Sequence, residues 1–363
     1  MTGLFTSRNF SLSEVPDLDG KVAVITISTQ LLLHGISKLF IIARNASKYD
    51  ACLDLWRRDP RIDLDLVADA DADADETGPR TQFIQCDLAD MLDAKRAAEE
   101  VTRRTERLDI LLCHAGTPII PTPTLSPQGI DTSFAANVVG HHILTRLLLP
   151  LLRSTITRFD APDARIVFTA SSLHMLCRQL DLDLLSPSPE SPLEKRYFCY
   201  CIDDGIWRYA RSKVGVILSA REFARRLMAV GEGEGEGEVD DDDVNGNIYV
   251  NSFFPGNIAT EPMDIWTHYL GTIGGKAFKY FWSVMGQSRE DGAATALFLA
   301  ASDRVREGDG MRGGYFVPIA KPHETSAVAG DMELAGRLWD WIEGKVAGVL
   351  GDGWKGPAVG KDL

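Results

Sequence analysis

Two stretches decide the fold: Phe168-Thr-Ala-Ser-Ser172, which is typical of a strand end, and Trp207-Arg-Tyr-Ala-Arg-Ser-Lys213, which is typical of a helix start. On such a helix Tyr209 and Lys213 are four residues apart, so both side chains project from one face. An ammonium group near a phenol stabilises the phenolate and lowers a tyrosine pKa from about 10 toward physiological pH. The pattern therefore indicates a group that exchanges a proton with a carbonyl or alcohol oxygen.

Short, β-branched apolar runs lie before and after this pair and alternate with helical stretches. The runs are typical of strands buried on both faces of a sheet, and they cover residues 21–26, 38–43, 82–88, 108–113, 164–170, 248–254 and 314–318. Helical spacing occurs at 49–58, 91–107, 130–152, 207–227, 291–301 and 332–346. This alternation predicts an α/β fold, a doubly wound parallel sheet with helices on both faces.

The net charge of −14 comes from two acidic low-complexity loops, predicted at 63–80 and 230–246. Seven acids lie in 63–76 and eight in 232–243, and the rest of the chain carries 37 acids against 38 Lys and Arg. Such runs are typical of solvated surface loops. Because no basic patch remains, the sequence argues against a nucleic-acid partner.

The six cysteines show no CxxC pair, and no signal peptide is recognised at the N-terminus. These observations predict a reducing, cytoplasmic setting. The apolar run 143–152 is interrupted by Arg146 and is shorter than the roughly 20 residues that a membrane helix needs. We therefore expect no membrane span.

Other chemistries find little support in the sequence. The adjacent His141 and His142 point in different directions on a helix and cannot chelate one metal together, so we predict no metal site. No Gly-x-Ser-x-Gly surrounds Ser172, which argues against a hydrolase. His174, two residues further on, is interpreted as a packing residue.

Taken in chain order, the residues at these strand ends and helix starts resemble the motifs of the short-chain dehydrogenase/reductase family. They are Asp87, His114-Ala-Gly116, Asn137, Ser172, Tyr209-x-x-x-Lys213 and Pro255-Gly256. The resemblance covers about residues 20–320, and segments 207–213, 255–260 and 315–320 are most similar to the retinol-dehydrogenase-like branch. It implies one Rossmann-like domain over residues 1–363, with 1–20 as a lead-in, and an oxidoreductase acting on CH–OH with NAD(P).

The resemblance gives four residues catalytic roles. Tyr209 would be the general acid/base, and Lys213 would lower its pKa and hold the nicotinamide ribose. Ser172, the second serine of the pair, would hydrogen-bond the substrate oxygen. Asn137 would hold a water molecule that links Lys213 to solvent.

Cofactor contacts are also implied by the resemblance, at Arg44, Asp87, Leu88, Ala115, Gly116, Tyr209, Lys213, Pro255, Gly256 and Thr260. An NAD enzyme of this fold has an acid at the end of the second strand to bind the ribose hydroxyls. Here that position is Ala43, and it is followed by Arg44, whose guanidinium suits a 2′-phosphate. We therefore expect NADP(H) rather than NAD(H).

Residues 257–290 follow Pro255-Gly256, where the family keeps its substrate lid. The segment is rich in aromatic side chains, namely Trp266, Tyr269, Phe278, Tyr280, Phe281 and Trp282. An apolar pocket is therefore expected there, for an apolar small-molecule substrate. Whether the protein forms a homo-oligomer is left open by the sequence.

The family's glycine-rich phosphate loop is missing after Thr26. Only eleven residues separate Thr26 from Lys38, about the minimum for a parallel crossover, and Gly35 is predicted to cap the intervening helix. Three explanations stay open: a defective or mis-spliced copy of an active enzyme, a cofactor-impaired relative, or phosphate binding through Ser28-Thr-Gln30. The leading hypothesis is an NADP(H)-dependent oxidoreductase, and the alternative is a non-catalytic Rossmann-like binding protein.

Overall fold

The computed structural model describes residues 8–25, 29–62, 80–186, 204–229, 241–259, 261–307 and 310–355. Its centre is an eight-stranded sheet in the order β3-β2-β1-β4-β5-β6-β7-β8. The strands are β1 Val22–Ile25, β2 Lys38–Ala43, β3 Thr81–Gln85, β4 Ile110–Cys113, β5 Ala164–Thr169, β6 Ile248–Phe253, β7 Tyr315–Val317 and β8 Lys321–Pro322. All neighbours pair in parallel except β7 and β8. The predicted doubly wound parallel sheet is confirmed, and the two-residue antiparallel β8 was not predicted.

Helices connect the strands and cover both faces of the sheet. They are α1 Thr29–Leu33, α2 Ala46–Arg58, α3 Met91–Arg104, α4 Thr132–Phe134, α5 Gly140–Arg158, α6 Asp204–Ala229, α7 Asp241–Gly246, α8 Trp266–Met285, α9 Arg289–Ala301, α10 Ala327–Gly330 and α11 Met332–Leu350. Shorter 3₁₀ turns occur at Leu12–Glu14, Ser172–Leu176, Asp183–Leu185, Glu261–Ile265 and Asp303–Val305.

Alternate residues of each strand enter different cores, as the two-residue period of a strand requires. In β1, Val22 and Val24 pack in the core that α3, α5, α6 and α11 complete. Ala23 and Ile25 pack in the opposite core, with residues of α1, α2 and α9. Burial on both faces explains why β1 and β4 are apolar at every position.

The crossover from β1 to β2 is made with the five-residue helix α1. Leu31 and Leu32 are buried against the sheet, and the backbone turns at Gly35, where φ is +80°. A Cβ atom there would lie 2.7 Å from the Asp17 carboxylate, so the position requires glycine. The predicted cap at Gly35 is confirmed, and the short chain still reaches β2.

The lead-in over residues 1–20 is better ordered than its sequence suggested, in the part from residue 8 onward. Ser11 and Glu14 form a capping box around one 3₁₀ turn, which satisfies backbone N–H groups at its start. Phe10 and Leu18 are buried in the core beside α9, and the Phe10 ring packs 5.3 Å from that of Phe298.

Both predicted acidic loops lie mainly outside the described residues, at 63–79 and 230–240. The end of the second is a correction, because Asp241–Gly246 is the helix α7 and not a loop.

One continuous helical segment, Thr132–Arg158, has the length and mean hydropathy (1.2) of a membrane span. However, 89% of its apolar window is buried inside the protein, against α3, α6 and the sheet. We interpret it as the central core helix, which agrees with the expected absence of a span.

Helix α11 is fastened to α5 by a cluster of charges around Glu343. This carboxylate lies 2.8 Å from His142 Nε2, 3.1 Å from Arg146 Nε and 2.8 Å from Lys355 Nζ. Burial alone would raise the pKa of Glu343, but the hydrogen bond of His142 and the charges of Arg146 and Lys355 lower it from 4.5 to about 2.

The depressed pKa of Glu343 predicts a loss of stability in acid. A carboxyl whose folded pKa lies below its unfolded pKa stabilises the protein above pH 4.5, and the contribution disappears as the pH falls toward 2. We expect Glu343→Gln to lower the free energy of unfolding at pH 7 by about 2–3 kcal/mol and to flatten this acid limb. Urea unfolding from pH 7 to pH 3 measures both effects. Glu333→Gln, at an exposed position of the same helix, is the control, and identical acid limbs in the two variants would contradict the prediction.

Candidate active site

Tyr209, Lys213 and a serine meet at the carboxyl end of β5. Lys213 Nζ donates a hydrogen bond to the carbonyl of Thr169, the last residue of that strand, at 2.8 Å. The same ammonium lies 5.5 Å from the centre of the Tyr209 ring. The side chain of Ser171 lies close enough to the Tyr209 hydroxyl to lower its pKa. The predicted neighbourhood of Tyr209 and Lys213 on one face of α6 is therefore present.

The serine beside Tyr209 is Ser171 and not the predicted Ser172. Ser171 is 8% exposed, and its hydroxyl also accepts the Leu173 N–H at 3.2 Å as the cap of the following 3₁₀ turn. Ser172 begins that turn and is exposed to solvent. Ser171 is therefore the serine that the structure shows beside Tyr209, and the role of Ser172 as the substrate-binding serine stays a prediction.

Burial sets the protonation of this group. It raises the pKa of Tyr209 above 10, although the side chain of Ser171 acts in the opposite direction. It lowers the pKa of Lys213 to about 8. The expected lowering of the Tyr209 pKa is therefore not found, because desolvation disfavours the phenolate more than its neighbours stabilise it. At neutral pH Tyr209 is a phenol that has a proton to give.

Asn137 lies in a π-helical segment, Ala135–Val139, that joins α4 to α5. Its side chain accepts the Thr117 N–H at 2.8 Å and donates to the Ser212 hydroxyl at 2.8 Å. It therefore ties the loop after β4 to helix α6, one residue from Lys213. π-Helical turns are frequent at functional sites because they redirect a side chain and a carbonyl.

The carbonyl of Asn137 accepts a hydrogen bond from His141 Nδ1 at 3.0 Å. The Nε2 atom of His141 is buried and has no hydrogen-bond partner among the described residues. His114 Nδ1 lies 3.0 Å from the hydroxyl of Thr169. Burial, with a smaller effect from the Lys213 charge, lowers the pKa of each histidine to about 4. Both rings are therefore neutral at pH 7.

The other two histidines near this region are structural. His174 Nδ1 donates to the Ser171 carbonyl at 2.7 Å, its Nε2 accepts the Ser326 N–H at 3.3 Å, and its ring packs on Tyr315. The predicted packing role is confirmed. His142 points away from His141 to Glu343, as expected for adjacent helical residues. Within the described residues no group of three His, Cys, Asp or Glu side chains is arranged to hold a metal.

Arg208 anchors the start of α6, and its role had no signal in the sequence. This fully buried guanidinium pairs with Asp131 at 3.3 Å and with Asp204. It also donates to the carbonyls of Ile120, at 2.6 Å, and Pro121, at 3.2 Å. The neighbouring Tyr209 is thereby held in a fixed position relative to the loop that follows β4.

A dinucleotide of the kind that this fold binds would lie along the carboxyl edge of the sheet. At the end expected for adenosine, a cavity of about 530 Å³ is lined by Arg44, Gln85, Asp87, Asp93 and Arg96. Asp93 accepts the Asp87 N–H at 2.7 Å, and Arg96 donates to Asp93 at 2.5 Å, so the loop after β3 is rigidly held. Arg44 is exposed at the end of β2. These side chains could hydrogen-bond an adenosine.

The remaining predicted cofactor residues differ in how exposed they are to a ligand. Leu88 is 6% exposed and packs in the core against Gly140, so its side chain is not available to a ligand. Ala115 is half-buried and Gly116 is exposed. A Cβ atom on Gly116 would lie 2.6 Å from Asn137 Oδ1, which explains the glycine.

Pro255 and Gly256 follow β6 at the same edge of the sheet. Gly256 has φ of +100°, and a Cβ atom there would lie 2.7 Å from Gln287 Oε1, which also accepts the Asn257 N–H at 2.7 Å. Only glycine permits this turn. Thr260 lies outside the described residues. The nicotinamide end of the expected site is thus framed by Lys213, Gly116 and Gly256.

Between the adenosine end and the nicotinamide end, the carboxyl edge of the sheet differs from the family pattern. No glycine occurs from residue 26 to residue 34. Residues 26–28, which include the suggested phosphate ligand Ser28, lie outside the described residues. The hydroxyl of Thr29 accepts a hydrogen bond from the Trp56 indole at 2.9 Å and is therefore already engaged. Among the described residues between the two ends, Thr29 is thus not free to bind a pyrophosphate.

Comparison with known proteins adds independent evidence. The sequence model of the family described as short chain dehydrogenase matches residues 61–176. A short-chain dehydrogenase/reductase of Armillaria gallica is 28% identical over 347 residues, covering 92% of this chain and 93% of that protein. Retinol dehydrogenase 14 of Mus musculus is 29% identical over 267 residues, covering 73% and 67%.

This chain is similar to the short-chain dehydrogenase/reductase family along most of its length, and these matches support an oxidoreductase. A solved structure from Mycobacterium paratuberculosis, of uncharacterised function, superposes with a TM-score of 0.60 at 19% identity, covering 93% of this chain and 97% of that one. That similarity supports the Rossmann-like fold.

Proposed function

We propose that this protein is an NADP(H)-dependent oxidoreductase that interconverts a carbonyl and an alcohol on an apolar small molecule. The observation that carries the proposal is the position of Tyr209, whose ring lies 5.5 Å from the buried Lys213 ammonium and whose hydroxyl is close to the Ser171 side chain. During reduction the carbonyl oxygen develops negative charge and then takes up a proton. A proton donor beside a second hydroxyl can supply the proton and stabilise that charge.

In the direction of reduction, the Ser171 hydroxyl would orient the carbonyl oxygen of the substrate toward Tyr209. The carbonyl carbon gains a hydride, and its oxygen takes the phenolic proton of Tyr209, so the product is the alcohol. The nearby Lys213 ammonium, fixed by its hydrogen bond to Thr169, would stabilise the phenolate left behind. Asn137 would hold the loop after β4 at a fixed position relative to helix α6, which carries Tyr209 and Lys213.

The cofactor supplies the hydride when it is bound. Lys213, Gly116 and Gly256 would frame its nicotinamide ribose, and Asp87 would lie near the adenine. Arg44 would pair with the 2′-phosphate, since a guanidinium binds phosphate through two parallel hydrogen bonds. The absence of an acid at Ala43 supports NADP(H) over NAD(H) in this proposal.

An apolar substrate is supported by residues 257–290, proposed as the lid, whose helix α8 carries clustered aromatic rings. Trp266 and Phe278 pack 4.9 Å apart, and Phe278 and Trp282 pack 6.0 Å apart. The name of the relative retinol dehydrogenase 14 is that of an enzyme for an apolar alcohol. The cytoplasmic setting stays a prediction from the sequence, and so does the single-domain organisation.

The cofactor preference predicts the effect of a substitution at Arg44. We expect Arg44→Ala to weaken NADPH binding about 10-fold, because one charge-assisted contact of about 1.5 kcal/mol is lost. NADH binding should stay unchanged. Titration of nucleotide fluorescence measures both dissociation constants, and Arg57→Ala, an arginine of α2 that does not line the cavity, is the control. Equal losses for NADPH and NADH would refute the assignment.

The function itself is tested by NADPH consumption with a series of aldehydes and ketones of increasing chain length. We expect turnover whose kcat/KM rises with apolar chain length, since each buried CH₂ contributes about 0.8 kcal/mol. If NADPH neither binds at millimolar concentration nor is consumed, the non-catalytic binding protein becomes the better description.

A further inference from the structure

Helix α8 has an exposed apolar face. From residue 273 onward the exposed side chains recur at helical spacing, and we call them the outer stripe: Ile273, Ala277, Tyr280, Phe281 and Val284. Ile273 is 87% exposed and Tyr280 is 72% exposed. Residues at this spacing lie on one side of a helix. A contiguous exposed apolar surface of this kind marks an interaction site in a soluble protein.

The opposite face of α8 is also apolar, but it is covered. The helix is broken at Gly271, where φ is +70° and ψ is 168°, so its second part folds back on its first. Gly275 is buried against the backbone of Thr267, and Phe278 packs on Trp266. A helix that is apolar on both faces is normally buried on both or lies at a membrane. The outer stripe therefore needs an occupant.

The charged residues of α8 indicate which kind of partner covers the outer stripe. About one residue in seven of the chain is Asp or Glu, yet none occurs between 266 and 285. The only fully charged side chains of that segment are Lys276, beside the outer stripe, and Lys279, which pairs with Asp264 at 2.6 Å. A chain of net charge −14 thus presents here an apolar helix whose outer stripe lies beside one exposed lysine, Lys276. Burial of the apolar face supplies most of the binding to a lipid surface, and one lysine near anionic headgroups adds about 1 kcal/mol.

The aromatic composition agrees with a bilayer interface. Tyr280 belongs to the outer stripe, and the partly exposed Trp266, Tyr269 and Trp282 flank it. Tyr and Trp side chains prefer the boundary between headgroups and acyl chains, because their rings are apolar and each carries one polar group.

We propose that the outer stripe of α8 docks in the plane of a bilayer that contains anionic lipid, with Lys276 at the level of the headgroups. The protein lies on the membrane and does not span it.

Co-sedimentation of the full-length protein with vesicles tests the docking without substrate or cofactor. We expect binding to phosphatidylcholine vesicles that contain phosphatidylserine, and several-fold weaker binding to phosphatidylcholine alone. The double variant Ile273→Glu/Phe281→Glu should lower the partition coefficient by more than 10-fold. Lys276→Glu should remove the preference for phosphatidylserine. Leu55→Glu, at a 64% exposed position of α2, is the matched control and should bind as the parent protein does.

Circular dichroism and melting temperature confirm that each variant is folded. Docking is overturned if the parent protein binds neither vesicle, or if the double variant binds as well as the Leu55→Glu control. It is also overturned in favour of a second copy if sedimentation velocity shows a dimer that only the double variant loses, with no vesicle binding. A protein without reductase activity could still bind vesicles, so this result is separate from the test of the proposed function.

Discussion

Tyr209→Phe is expected to lower kcat for carbonyl reduction by about 10³-fold and to leave NADPH binding within about twofold of the parent value. General acid catalysis by a positioned side chain contributes about 10²–10⁴-fold. The substitution removes only the hydroxyl close to Ser171, while the ring beside Lys213 remains. Initial rates of NADPH consumption and fluorescence titration measure the two quantities.

Tyr49→Phe is the matched control, because it removes a half-buried hydroxyl that lies 3.2 Å from Thr81 on the far side of the sheet. It should leave kcat unchanged. A Tyr209→Phe enzyme that keeps more than a third of the parent kcat would show that the proton comes from another group.

The two neighbouring serines should respond very differently to removal of their hydroxyls. We expect Ser171→Ala to lower kcat/KM about 10²-fold, the size of the loss when one hydrogen-bond donor to a developing charge is removed. Ser172→Ala should stay within about twofold of the parent enzyme, since that side chain is exposed. Parallel measurement of kcat/KM for both variants makes each the control for the other.

Ser171 also caps a 3₁₀ turn, and loss of a cap costs about 1 kcal/mol of stability. Melting temperatures therefore accompany the kinetics, and Ser171→Thr, which keeps a hydroxyl, should recover part of the activity. The reverse pattern, with Ser172→Ala inactive and Ser171→Ala active, would restore the choice made from the sequence.

Periodicity was sufficient to predict the sheet. The seven predicted strands are all present, because strands buried on both faces are mainly apolar, as β1 is throughout and β5 is over most of its length. The four-residue spacing of Tyr209 and Lys213 similarly placed both side chains on one helix face.

The sequence did not show which serine lies beside Tyr209. That depends on where the 3₁₀ turn begins, and it begins at Ser172 with Ser171 as its cap. Both serines are suitable caps, so residue type alone did not distinguish them. The ion pairs of Arg208 and Glu343 join residues that are far apart in the chain. Such partners leave no local pattern, because their meeting depends on how the helices pack.

The five-residue α1 has a consequence for how long a dinucleotide stays bound. Its rise of about 7.5 Å gives little more than one turn of aligned peptide dipoles. A ligand that is bound mainly through its two ends behaves as a bivalent ligand. One end can dissociate and rebind while the other stays bound. We therefore expect rapid exchange of oxidised for reduced nucleotide, with occupancy governed by the cellular ratio of the two forms.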